Sequence, residues 1–113
     1  MRSFGFVLPC VLLAFPVPAR AAAGDAANGK PIYNAQCVIC HGKAGNGDGP
    51  VGKSLNPRPR AFSAGKLATD DKLFNVIRRG GKANGLSKDM DAYPTFTDQQ
   101  IWDVIAYLKT LAK

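Results

Sequence analysis

The chain has 113 residues, with 15 Lys and Arg against 8 acidic residues, all of them Asp, and a formal net charge of +7. That length provides for one small domain, whose modest core often needs a staple of some kind. Basic charge alone is compatible with nucleic acid, but no binding motif for it is present and the export expected below argues against it.

Met1-Arg2 is a short positive start, and residues 4–17 are mostly apolar with two prolines. Ala19-Arg20-Ala21-Ala22-Ala23 then supplies small residues where a signal peptidase cuts, so residues 1–23 read as a secretory signal peptide cleaved near 21–23. The apolar run is too short and too proline-rich for a membrane helix of ~20 residues. Pro9, and the position of Cys10 inside the apolar run, argue against a lipid-modified cysteine. The mature domain is expected at 24–113, with 13 basic residues against 8 acidic, net +5, and an even two cysteines. No other apolar run is long enough to span a bilayer; a soluble, basic protein exported to the periplasm is expected, and a monomer.

Three helices separated by glycine- and proline-rich loops are expected, with no repeats and no strand-like alternation. The first leads into Cys37 and has Asp25 or Asn28 as N-cap. Pro31 favours the later start, because a proline in the first turn gives up an N–H that lacks a partner anyway. Residues 42–65 read as a long loop, the kind that is functional or wraps around something. Thr69 caps the second helix, Asp70 and Asp71 favour its dipole, and Gly80-Gly81 stop it. Arg78 and Arg79 at its end either complement the dipole or contact a partner. Residues 82–94 form a second loop containing Met90. Thr97 opens the third helix, with Gln100 completing a capping box and Phe96 and Ile101 as a hydrophobic staple. Ile101, Trp102, Val104, Ile105, Leu108 and Leu111 make its apolar stripe, expected to pack on the first helix.

Chemistry concentrates in Cys37-Val38-Ile39-Cys40-His41. Two cysteines with two residues between them and a histidine next are the attachment pattern for c-type haem. Each thiol adds to one vinyl group, and the imidazole becomes the proximal iron ligand. His41 is the only histidine, and Met90, 49 residues on, is the only methionine left after signal cleavage. Met90 is therefore the candidate second ligand, with core packing as the alternative. Its neighbours Lys88, Asp89 and Asp91 make a polar setting for a packing methionine. A His41/Met90 pair favours a high potential and a closed iron, as in a one-electron carrier. Two rival classes remain. An open-site haem peroxidase or gas-binding protein would lack a distal histidine for acid–base work. A haem-free redox dithiol lacks a βαβ surround, and a structural zinc site needs a fourth ligand.

These residues resemble a small class I c-type cytochrome over nearly all of the mature chain. Cys37-Val38-Ile39-Cys40-His41-Gly42 matches the signature. Gly29, Tyr33 and Cys37 match the glycine–aromatic–cysteine first helix, in which the glycine permits close crossing by the last helix. Tyr107-Leu108-Lys109 resembles the end of that last helix, and residues 42–50 the loop after the motif. The resemblance implies an all-α cytochrome c fold: three main helices with long loops wrapped round one covalently bound haem c. It implies that the Pro50 carbonyl accepts a hydrogen bond from His41 Nδ1, fixing the imidazole. Met90-Asp91-Ala92-Tyr93 resembles the distal segment, except that proline commonly follows the methionine where Asp91 stands here.

Arg58 and Arg60 are candidate partners of the haem propionates, with solvated loop arginines as the alternative. Lys53, Lys66, Lys72, Arg78, Arg79, Lys82 and Lys88 are candidates for a basic ring. Such a ring steers acidic redox proteins, such as an oxidase or dehydrogenase, into transient complexes. A dedicated haem subunit of a larger oxidoreductase is the alternative to a free carrier.

Overall fold

The computed structural model describes residue 5, residues 10–15 and residues 24–112. The expected cleavage positions and most of the expected signal segment lie outside these. Cys10, which lies within them, is exposed.

The fold is all-α. Among the described residues four helices follow in order: α1 (Ala26–Gln36), α2 (Val38–His41), α3 (Asp70–Arg79) and α4 (Asp98–Leu111). Short 3-10 turns at Gly52–Ser54, Phe62–Ala64 and Lys82–Asn84 punctuate the loops. The three expected helices are α1, α3 and α4, and α2 is the haem-motif turn standing as a helix of its own. Among the described residues, no helix is long and apolar enough to cross a membrane.

The start of α1 differs from the expected one. Asp25, not Asn28, is the N-cap, and its side chain accepts from Ala27 N at 2.9 Å. Pro31 then sits inside the helix, where its ring nitrogen has no proton to bond back. The reason lies across the fold: the Asp25 backbone N–H donates to Asp103 Oδ1 at 2.8 Å, so α4 sets where α1 begins. Asp103 is buried and also accepts from Gln99 Nε2 at 2.9 Å.

Helices α1 and α4 make the most extensive contact in the molecule. A Cβ on Gly29 would stand 1.9 Å from the Asp103 carbonyl oxygen, so only glycine permits this crossing. Tyr33 is fully buried beside it, its ring centroid 5.1 Å from that of Tyr107, its hydroxyl donating to Gly42 O at 2.7 Å. The core comprises Tyr33, Ile77, Ile101, Val104, Ile105 and Leu108, one face each of α1, α3 and α4.

Both expected caps are present. Thr69 accepts from Lys72 N, and Thr97 and Gln100 form the reciprocal box at 2.9 and 3.1 Å. Ile101 is buried with Phe96 packed against the same cluster, as a staple requires.

Candidate functional site

Cys37 ends α1 and opens α2: its N–H donates to Tyr33 O at 2.8 Å, and its carbonyl accepts from His41 N at 2.9 Å. The two free thiols and the imidazole thus occupy one turn, all three partly buried. The carbonyls at the end of α2 are taken up by the following loop. Gly49 N donates to Cys40 O, Val51 N to Ile39 O and Gly47 N to His41 O, at 3.1, 2.9 and 2.8 Å. A short helix so closed has no orphan carbonyls. A Cβ on Gly52 would lie 2.0 Å from Cys40 O, so the loop wraps the motif at backbone contact.

Burial lowers the pKa of His41 below its ordinary value, against a smaller opposing effect from the Arg60 carbonyl. A neutral imidazole is the form that gives a lone pair to a metal. Burial, then the neighbouring Cys40, pushes the Cys37 thiol up to about 12. A reactive dithiol needs the opposite shift, so the site does not suit thioredoxin-type exchange. Among the described residues, no three His, Cys, Asp or Glu side chains gather as metal ligands.

The expected Pro50 contact is not the one formed. His41 Nδ1 lies 3.4 Å from Arg60 O, a long and weak contact, and the ring stacks on Phe62 with centroids 4.6 Å apart. The cause is the return of residues 59–62 over the motif, where Phe62 N donates to Gly45 O at 2.6 Å. Pro50 and Arg58 are exposed. The Arg60 side chain lines a shallow recess with Lys66, Leu67, Thr69 and Lys72.

Met90 is partly buried, and its carbonyl accepts from Gly81 N at 2.9 Å. Three residues on, Tyr93 N donates to Ile77 O at 2.9 Å, and the Tyr93 hydroxyl donates to Gln36 O at 3.1 Å. The methionine segment is therefore tied to the residue just before Cys37. Burial chiefly, then nearby Cys37, Asp91 and Cys40, pushes the Tyr93 phenol up to about 12.

Two contributions escaped sequence reasoning. Tyr93 was legible only as part of the distal pattern, not as a bridge between loop and motif. Arg78 does more than complement a dipole: its guanidinium donates to Pro94 O at 3.0 Å and pairs with Asp98 at 2.7 Å. The available signal was its position four residues after Phe74, on one helix face; its carbon stands 5.6 Å above that ring.

A planar apolar group fits these residues. Phe62, stacked on His41, and Tyr93, bonded to the residue before Cys37, pack on the core yet stay partly exposed, leaving apolar surface beside the motif for such a group to cover. With two thiols and a neutral imidazole on one turn, the donor set suits a haem held through its vinyl groups.

A family model described as cytochrome C oxidase, cbb3-type, subunit III matches residues 24–108. Among solved structures, a chain of the Kuenenia stuttgartiensis reducing HAO-like protein complex Kustc0457/Kustc0458 is similar at 29% identity and a TM-score of 0.66. The match covers 75% of this chain but only 41% of that one. No curated protein matches. With the family model spanning the helical domain from before α1 into α4, the protein belongs to the family of c-type cytochrome domains described as cytochrome C oxidase, cbb3-type, subunit III.

Proposed function

We propose that this protein carries single electrons between redox partners in the periplasm. In this reading, one haem c is bound by thioethers to Cys37 and Cys40, with His41 and Met90 as axial ligands. The observation that carries it is the Tyr93–Gln36 hydrogen bond, which brings the Met90 segment to the haem motif from 57 residues away in sequence. When bound, the haem supplies a reversible one-electron couple. The chain's own residues do the rest. The thiols of Cys37 and Cys40 anchor the group, and neutral His41 presents a lone pair. Met90 offers a soft thioether that favours the reduced state. Residues 1–23 act as the export signal, which leaves 24–113 as the functional domain.

The absence of a second histidine supports a carrier over an open-site enzyme, because peroxide chemistry wants a distal acid–base group. The dedicated-subunit alternative also has support. The matching family is named for an oxidase subunit, and the similar solved chain belongs to a complex and is longer than this one.

The test is spectroscopic. Purified protein should show sharp Soret and visible bands that stay with the polypeptide on denaturing gels. Carbon monoxide should bind the reduced protein poorly, and the Met90→Ala variant readily. Haem lost on denaturation would overturn covalent attachment, and fast carbon monoxide binding by the unmodified protein would overturn Met90 ligation.

A further inference from the structure

The segment after Met90 is held by a side chain that no haem motif includes. Arg78 lies in the last turn of α3 with its side chain only 22% exposed. Its Nη1 faces three carbonyl oxygens at once: Tyr93 at 3.3 Å, Pro94 at 3.0 Å and Phe96 at 2.5 Å. Its Nη2 meets Asp98 Oδ1 at 2.7 Å, at the opening of α4. These acceptors lie three to eight residues beyond Met90. On the near side, Met90 O accepts from Gly81, three residues past Arg78. The loop carrying Met90 is thus closed onto the end of α3 from both directions.

A proline after the methionine would stiffen this loop by fixing its backbone. Here Asp91 stands in that position, and the stiffness has another source. We propose that Arg78 is the positioning residue that holds the Met90 segment, keeping the sulfur where it can bind the haem iron. The inference rests on Met90 being the iron ligand. A guanidinium suits the task because its planar fork satisfies several acceptors in fixed geometry and never loses its charge, whereas an ammonium cannot span them. Arg79, adjacent but exposed, has no such role.

The experiment uses haem-loaded protein and measures the rate of cyanide binding to the oxidised form, which requires Met90 to leave the iron. The methionine-to-iron charge-transfer band is followed in parallel. Arg78→Gln should bind cyanide roughly tenfold faster or more, with a weakened band, because charge-assisted bonds to several acceptors are lost. Arg78→Lys should fall between. Lys109→Ala breaks the exposed Lys109–Asp70 pair between the same two helices, 2.9 Å apart. It should leave rate and band unchanged, which separates positioning from general loosening.

Should Arg78→Gln fail to fold, Arg78→Lys, which keeps the charge but cannot span the three carbonyls, carries the test and should still speed binding a few-fold. Arg78→Gln within about twofold of the unmodified protein, with Met90→Ala fast, overturns the positioning role and leaves the ligand reading intact. Met90→Ala as slow as the unmodified protein overturns the ligand reading itself. An unchanged rate in Arg78→Lys, where Arg78→Gln cannot be made, also overturns the positioning role.

Discussion

At the scale of single residues, Gly29 and Tyr93 carry the clearest consequences. A methyl group on Gly29 has no space against the Asp103 carbonyl, so Gly29→Ala must push α1 away from α4. The expected loss is about 1–3 kcal/mol, read as a lower denaturant midpoint with an unchanged slope. Tyr93 makes a pH prediction. Its phenol is raised to about 12 in the folded chain, chiefly by burial, against an ordinary value of 10.0. The folded state therefore keeps this proton longer than the unfolded one. The associated stability is complete below about pH 10 and is lost as pH rises toward 12. The Tyr93→Phe variant should lose less stability than the unmodified protein across that window, in melting temperatures recorded from pH 9.5 upward on the holoprotein. Tyr33 is shifted the same way by burial and contributes equally to both proteins, so the difference isolates Tyr93. Equal slopes would show that burial of the Tyr93 phenol contributes nothing to the fall of stability across this window. Sequence pattern singles out Cys37, Cys40, His41 and Met90 as candidates, because each is a distinctive residue type at a distinctive spacing. It did not locate the neighbours of His41. Which carbonyl comes near that imidazole depends on how residues 59–62 fold back, and no local signal encodes that.

At the scale of elements, legibility follows the range of the interaction. The starts of α3 and α4 were readable because Thr69 and Thr97 bond to N–H groups three residues away. Thr97→Ala, with the capping box broken, should cost about 1 kcal/mol, checked by the same denaturation midpoint. The start of α1 was only half readable: Asp25 was one of two candidate caps, and its backbone N–H is held by Asp103, 78 residues distant. Pro31 argued locally for a later start and was overruled by the tertiary contact. The separation of α2 from α1 follows from a local distortion at Cys37, whose backbone departs from helical geometry at φ −112°. That kink gives the haem motif its own turn, and the loop then caps it. Arg78 belongs to this scale too, because it links the end of one helix to the start of the next.

At the scale of the whole molecule, the buried core is small and confined to α1, α3 and α4, while the loop at 42–65 has little apolar cover of its own. A haem c would give those loops a common apolar surface, and by the coupling of binding to folding a Cys37→Ala/Cys40→Ala chain lacking haem should be largely unfolded. A folded circular-dichroism spectrum from that chain would refute the coupling. Charge acts at the same scale. Lys43, Lys53, Lys66, Lys72, Arg79, Lys82 and Lys88 are exposed, whereas Arg78 is engaged with the Met90 segment and drops out of the expected docking ring. The domain's surplus of positive charge should steer an acidic redox partner over distances set by ionic screening, about 10 Å at 0.1 M salt and about 3 Å at 1 M. Electron transfer to such a partner should therefore slow steeply between those salt concentrations. Because Arg78 is withdrawn from solvent, Arg78→Gln should leave the salt slope unchanged, while Lys72→Gln should flatten it if that lysine faces the partner. A rate independent of salt would mean that the basic surface serves solubility and not docking.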